Sequence, residues 1–447
     1  MKRHILVLLL LVAMCQGAEG DAARLKELAK AVAKGEQDSL ATLADLHGEA
    51  AAQFVLGLVG SNRVGGGIKA RTAEIIAAWP AAAPGRKTLH EWLAKHPNCD
   101  DDTLLFFADI HLPETRGHFW SIIEQARGEP AKWRQPQRIA MAVKGLGCFE
   151  DNPEVVVVRV GSLLAPSCPH VIRACAAAAL GGMRHAKAVE ALVPHVSDPA
   201  VGSRVRGSLY RLTGQHFDQQ PETQWQAWLK DNAGRMAFKM HTAADFENFL
   251  KMQALVGPAP DDVQMNMDAF YGIDVRGKGL LFILDVSGSM SIDDRINKLR
   301  GQMQNILTIF ASRPEAARYG IITFGDSIDS CFPRGVMDNS DENRRRATRF
   351  VERLQADGGT PMVEALTYAY NKVLPDAGID TIFFLSDGQP SDGTPQMVLD
   401  ITRKIFQRHQ ARFNTISIGE DLPVEFGKPS LLQEMSIITQ GAFTQPK

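Results

Sequence analysis

The run at residues 280–284, LLFIL, is apolar at every position and breaks off into DVSGSM. A strand with one wet face alternates polar and apolar residues, so a short unbroken apolar run reads as a strand buried on both faces, as in a parallel sheet covered by helices. Residues 319–324, 381–385 and 413–418 repeat this grammar. Amphipathic stripes lie between them: Ile292, Ile296, Leu299, Met303, Ile306 and Phe310 recur every three or four residues, and Val398, Ile401 and Ile405 do the same. Alternating strands and helices predict an α/β domain with a doubly wound, mainly parallel central sheet. Ligands of such sheets bind outside the carboxyl ends of the strands.

The first strand ends in Asp285, with Ser287 and Ser289 just beyond. One carboxylate and two hydroxyls are oxygen donors of the kind Mg2+ takes, whereas zinc would call for His or Cys, and neither is near. Two later loops are expected at the same edge. DGGTPM carries Thr360 ahead of a helix, and LSDGQPSDG carries Asp387 after the strand at 381–385. Each residue also has a plainer reading: Ser287 and Ser289 as helix caps before Ile292, Thr360 as the cap of a helix starting near Pro361, Asp387 as a turn former before Gly388.

In this order, residues 272–447, about two-fifths of the chain, resemble a von Willebrand factor type A (vWA) domain with a metal-ion-dependent adhesion site (MIDAS), which reads DxSxS, then a Thr, then an Asp. The resemblance implies a Rossmann-like fold and a metal set of Asp285, Ser287, Ser289, Thr360 and Asp387. It also implies that the two serines contact the metal directly, with Thr360 and the aspartates doing so directly or through water. Mg2+ is the expected ion, and Mn2+ or Ca2+ would also fit. Two carboxylates only just balance a divalent cation, so an acidic side chain on a protein partner is expected to complete the octahedron.

The preceding half has different grammar. Residues 21–232 are rich in Ala and Leu at helical spacing and read as all-helical. Within 130–235, three segments look alike around Arg138, Arg173 and Arg206, each arginine followed by an Ala, Ser or Leu stripe and then by Leu and Gly. That pattern resembles HEAT-like repeats, an α-solenoid offering an elongated surface for protein contact, and an ordinary helical bundle is the alternative. Residues 21–129 are helical by periodicity without a clear repeat. Trp225 and Trp228 read as anchors closing the helical half, and 236–271 as a linker and lead-in to the domain at 272–447.

Residues 1–20 read as a signal peptide: Lys2 and Arg3, an apolar run from Ile5 to Met14, then small residues. Secretion or a periplasmic place follows, with no stable membrane span after cleavage, and the domain combination looks bacterial. Cys15 resembles a lipoprotein cysteine, but Met14 departs from the small residue such signals use. Export would permit a disulfide among Cys99, Cys148, Cys168 and Cys175. A net charge of −2 with 22% charged residues gives no whole-chain field for nucleic acid, so none is expected as a partner.

These observations predict an exported, non-enzymatic protein-interaction protein that binds its partner through a divalent metal, with the helical half as a second scaffold surface. Two alternatives remain open. One is a metal-dependent hydrolase, for which residues 272–447 offer the single histidine His409 and no GxSxG elbow. The other is a regulatory subunit of an envelope or chelatase-like complex.

Overall fold

The structure, a computed structural model, describes residues 19–34, 37–61, 66–125, 135–217, 221–232, 236, 238–256, 269–275, 277–312, 318–375, 378–419 and 429–446. The segment expected to direct export therefore lies almost wholly outside the described residues, as does the stretch 257–268 where the helical grammar ends. The protein has a helical N-terminal half followed by an α/β domain built on a mainly parallel sheet. Contacts group the chain into two compact units, one holding residues 1–163 and 178–188, the other 164–177 and 189–447.

The first unit is helical. It contains α1 (Glu19–Ala33), α2 (Glu49–Val59), α3 (Gly66–Ala77), α4 (Pro84–Lys95), α5 (Asp101–Asp109), α6 (Arg116–Gln125), α7 (Pro136–Leu146) and α8 (Glu154–Ser162). The division passes through α9 (His170–Leu180) and α10 (Ala186–Leu192). α5 starts where Asp100 accepts a 3.0 Å bond from the Thr103 amide, satisfying one of the donors that a helix start leaves open. The ends of α7 and α9 approach backbone to backbone: a Cβ on Gly182 would stand 2.0 Å from the Gly147 carbonyl oxygen, so both positions need glycine.

The second unit adds α11 (Gly202–Thr213), α12 (Pro221–Asn232) and α13 (Ala243–Val256) to the sheet domain. The three look-alike arginines lie in the first two turns of α7, α9 and α11, and each donates to a carbonyl of an earlier connection between helices. Arg138 reaches Cys99 O at 2.6 Å, Arg173 Leu164 O at 2.9 Å and Arg206 Val196 O at 2.7 Å. Trp225 is fully buried, edge-on to Phe217 and Trp228, which is the anchoring role. Within the stretch expected to be a linker, α13 is a well-packed helix: Glu247 pairs with Arg403 at 3.3 Å and Lys251 with Glu434 at 3.2 Å. The Arg204 guanidinium lies 3.8 Å from the centre of the Phe406 ring. None of the five described thiols is in a disulfide, which corrects the expected bridge.

The sheet has six strands in the order β5-β4-β3-β6-β7-β8: β3 (Gly279–Asp285), β4 (Arg318–Phe324), β5 (Ile328–Ser330), β6 (Thr381–Ser386), β7 (Arg412–Ser417) and β8 (Phe443–Thr444). All neighbours are parallel except β4 and β5. A separate two-stranded pair, β1 (Ala269–Phe270) and β2 (Ile273–Asp274), precedes it.

Every residue of β3 is buried, as its unbroken apolar run demands. Leu280, Phe282 and Leu284 pack on one face with α14 (Arg295–Ser312) and α15 (Asp341–Glu352). Leu281 and Ile283 pack on the other with α16 (Met362–Tyr368), α17 (Pro395–His409) and α18 (Leu431–Thr439). Each such side chain contributes about 1.5–3 kcal/mol, so the sheet's register is firmly held by its two cores.

The helix after β3 differs from expectation. Ile292 is 53% exposed and lies outside the helix, whose buried stripe begins at Ile296. Asp293 and Asp294 take left-handed φ of 51° and 60° and turn the chain between a short 3-10 segment and α14.

Candidate functional site

The register aligns the ends of β3, β4 and β6, with Asp285 opposite Phe324 and Leu284 opposite Leu385. Three loops leave that edge, and hydrogen bonds sew them together. Val286 N donates to Phe324 O at 2.8 Å, Asp357 N to Val286 O at 2.8 Å, and Gly288 N to Gly358 O at 3.0 Å. Gly358 takes φ +77°, and a Cβ there would stand 2.2 Å from the Asp326 amide nitrogen, so glycine is required at this crossing.

The five expected residues meet here. Asp285 is fully buried, its Oδ1 accepting from the Ser287 amide at 2.8 Å and its Oδ2 from the Ser386 hydroxyl at 2.5 Å. The Ser287 and Ser289 hydroxyls are 3.0 Å apart, and Ser289 Oγ donates to Asp387 Oδ1 at 2.8 Å. Thr360 is nearly buried, and its Oγ1 lies 4.0 Å from the position a Cβ on Gly388 would take.

Ser287 precedes the 3-10 segment without making a side-chain cap bond, its hydroxyl turning to Ser289 instead. The start of α16 is served by Asp392, which accepts from the Val363 and Glu364 amides at 3.1 and 2.7 Å, while Thr360 contributes only its carbonyl there. Thr360 is held by Ser391, whose hydroxyl accepts from its amide at 2.9 Å.

Three participants escaped the sequence reading: Ser386, Ser391 and Arg295. Arg295 Nη1 lies 2.8 Å from Asp387 Oδ2, and the Asp387 side chain is fully covered. Ser386 had a visible signal, since it is the last strand residue before Asp387. Arg295 had none, because its side chain is aimed by the two left-handed aspartates before it.

Burial pushes the Asp285 carboxyl up to about 6, and the neighbouring Asp387 charge adds to the push, against hydrogen bonds from Ser287 and Ser386 that pull it down. Two acidic groups thus share a nearly dry pocket with a single guanidinium. Among the described residues no three His, Cys, Asp or Glu side chains gather as a metal-holding group. The oxygen set here is instead two carboxylates and three hydroxyls, which suits a hard divalent cation and would relieve the crowding of negative charge. His409, the domain's single histidine, sits three residues before β7 starts, at the opposite edge of the sheet. It is buried edge-on to Tyr370, and burial, helped by Arg408, drops its ring to about 4.

Beside the site, a cleft of about 760 Å3 starts at Val286 and runs along α15, lined by Asp326, Asp329, Arg346, Arg349, Arg353 and Asp357. Arg346 donates to Cys331 O at 2.8 Å, while Arg349 and Arg353 form no ion pair among the described residues.

Residues 280–389 match the model of the von Willebrand factor type A domain. The chain is 26% identical to inter-alpha-trypsin inhibitor heavy chain H6 of Homo sapiens over 205 residues, 42% of this chain and 15% of that one. It is 24% identical to inter alpha-trypsin inhibitor, heavy chain 4, of Mus musculus over 164 residues, 34% of this chain and 17% of that one. It therefore spans less than a fifth of the length of these relatives. Among solved structures, a von Willebrand factor type A protein from Catenulispora acidiphila overlays 39% of each chain with a TM-score of 0.32 and 20% identity. The manganese-loaded TRAP protein of Plasmodium vivax covers 38% of this chain and 68% of its own, with a TM-score of 0.28 and 18% identity. Among the described residues no helix is long and apolar enough to cross a membrane. With its strand order, its aligned loops and this match, the C-terminal part of the chain is a von Willebrand factor type A domain.

Proposed function

We propose that this is an exported, non-enzymatic protein-interaction protein whose vWA domain grips an acidic side chain of a protein partner through a divalent cation. Asp285, Ser287, Ser289, Thr360 and Asp387 would hold the ion, Mg2+ first and Mn2+ or Ca2+ by the same donors. The helical half, read as HEAT-like repeats, would supply a second scaffold surface. The observation that carries this is the crowding of Asp285 and Asp387 with the three loop hydroxyls at one strand edge, with the Asp285 carboxyl pushed up to about 6.

When bound, the cation would supply an electrophilic point for a carboxylate oxygen. The chain's own residues do the rest. Ser386 and the Ser287 amide orient Asp285, Ser391 fixes the Thr360 loop, and burial keeps water from competing. His409, the single histidine of residues 272–447, lies at the far edge of the sheet, which favours a grip over a hydrolytic centre. Export rests on the segment at residues 1–20, and the pairing with helical repeats suits a bacterial envelope or secreted setting.

The test is retention of partner proteins on the immobilised full chain in Mg2+, repeated with EDTA and with Asp285→Ala. Retention should collapse in both. Retention indifferent to both would overturn the metal-bridged reading.

A further inference from the structure

We propose that Arg295 is a built-in counter-cation that sets the balance of this site, weakening its hold on the metal and strengthening the metal's pull on a partner's carboxylate. The inference rests on the reading that the five oxygen-bearing residues hold a divalent cation.

Three features of the chain support it. Arg295 Nη1 lies 2.8 Å from Asp387 Oδ2, while the other oxygen of the same carboxylate accepts from Ser289 at 2.8 Å. Asp387 therefore meets the candidate metal ligands through Oδ1 and a fixed positive charge through Oδ2. Second, Arg295 is the first residue of α14. A helix start carries partial positive charge and disfavours a cation, so helix electrostatics do not explain an arginine there. Third, the two residues before it, Asp293 and Asp294, both hold left-handed φ. That turn brings the Arg295 side chain back over the sheet edge, where it is 17% exposed. Asp293 touches the same guanidinium at 3.8 Å but is itself largely in water, so the short bond to Asp387 dominates.

The consequence follows from counting charge. Asp285 and Asp387 together carry two negative charges when ionised, enough to neutralise a divalent cation. Arg295 removes one of them from the account. The cation would then be held by a site of net charge −1, retain net positive character, and draw an anionic ligand more strongly. Because Arg295 already satisfies Asp387, the edge would also remain ordered without the metal.

The experiment is calorimetric titration of the full chain with Mg2+ and separately with Mn2+, on the wild type, Arg295→Gln and Arg295→Lys, each checked for native circular dichroism. Melting temperatures in EDTA and in saturating Mg2+ accompany the titrations. Removing one positive charge across a partly hydrated site should tighten metal binding by about tenfold in Arg295→Gln. Arg295→Lys, which keeps the charge, should stay close to wild type. Arg295→Gln should also melt lower in EDTA and gain more on adding Mg2+. If the wild type binds metal and Arg295→Gln binds it equally or more weakly, the counter-cation role is overturned and the metal reading stands. If Arg295→Lys behaves like Arg295→Gln, the effect is geometric and the charge argument fails. If the wild type binds neither ion, the metal reading falls and takes this inference with it.

Discussion

The two ends of the central sheet each carry a buried aspartate joining the same two strands, and they are wired differently. At the amino edge, Asp380 is 1% exposed, its Oδ2 accepting from the Lys278 and Gly279 amides ahead of and within β3 at 2.7 and 3.2 Å, its Oδ1 from the Thr381 hydroxyl at 2.8 Å. Gly277, at φ +151°, leaves room for that oxygen, since a Cβ there would stand 2.2 Å from it. At the carboxyl edge, Asp285 on β3 takes a hydrogen bond from Ser386 on β6. The bridging is a mirror image, but here Asp387 adds a second negative charge beside the first. Both buried carboxylates accept from donors that tie the strands together, but at the carboxyl edge deep burial and a second carboxylate raise Asp285 to about 6, which a bound cation would relieve.

The largest expected consequence is at the amino edge. Asp380→Ala strips the acceptor from three donors, two of them on the buried residues Gly279 and Thr381, and should lower unfolding stability by about 3 kcal/mol in denaturant titrations. It should leave the response to Mg2+ intact in the molecules that remain folded. Asp285→Ala, measured in EDTA, should cost much less, because it also removes a repulsion, and it should abolish the stabilisation by Mg2+. Equal losses from the two substitutions would erase the distinction between the edges.

A somewhat smaller effect lies in pH. The Asp285 carboxyl is raised to about 6 from an ordinary value of 3.8, so the folded metal-free chain holds a proton there that the unfolded chain has released. That contribution is fully present below about pH 4 and is lost as pH rises through about 6, a swing of up to about 2–3 kcal/mol. Other carboxylates titrate in the same window, so the measure is the difference between wild type and Asp285→Asn, unfolded in EDTA at several pH values. The wild type should lose stability relative to the variant as pH rises from 4 to 7. A flat difference would show that burial at this strand end does not raise the Asp285 carboxyl.

Much of this edge was legible in the sequence, because an unbroken apolar run and a following Asp leave a strand end few alternatives. The four strands with such runs were placed to within about a residue at each end, and the loops carrying Asp285 and Asp387 emerge together because parallel strands end together, while the Thr360 loop, which joins α15 to α16, is drawn to the same edge by the backbone bonds of Asp357 and Gly358. The short β1, β2, β5 and β8 were not legible, since two or three residues carry no periodicity; β5 and β8 owe their pairing to the sheet beside them, and β1 and β2 pair only with each other. Ile292 misled for a related reason: it continues a helical spacing, but two left-handed aspartates break the helix before the stripe begins. The placement of α13 against α17 and α18 was likewise hidden, since the ion pairs of Glu247 with Arg403 and Lys251 with Glu434 join residues more than 150 positions apart.

The smallest effect on stability tests how far the carboxyl edge extends as a surface. Arg349 and Arg353 line the cleft that begins beside Asp285, are exposed, and form no ion pair among the described residues, although Asp326, Asp329 and Asp357 line the same cleft. Exposed charges of this kind contribute little to folding but steer encounter with a partner of opposite sign. Reversing both to Glu should shift unfolding stability by no more than about 0.5 kcal/mol. It should slow association with an acidic partner severalfold at low salt, with dissociation barely changed, and the difference should shrink as ionic strength rises and the Debye length falls to about 8 Å. The amino edge supplies the control: a charge reversal at Arg412 on β7, which donates to Thr381 on the neighbouring β6 at 3.3 Å, should leave the association rate where it was. If both reversals slow association alike, the partner responds to the field of the whole chain and not to this edge.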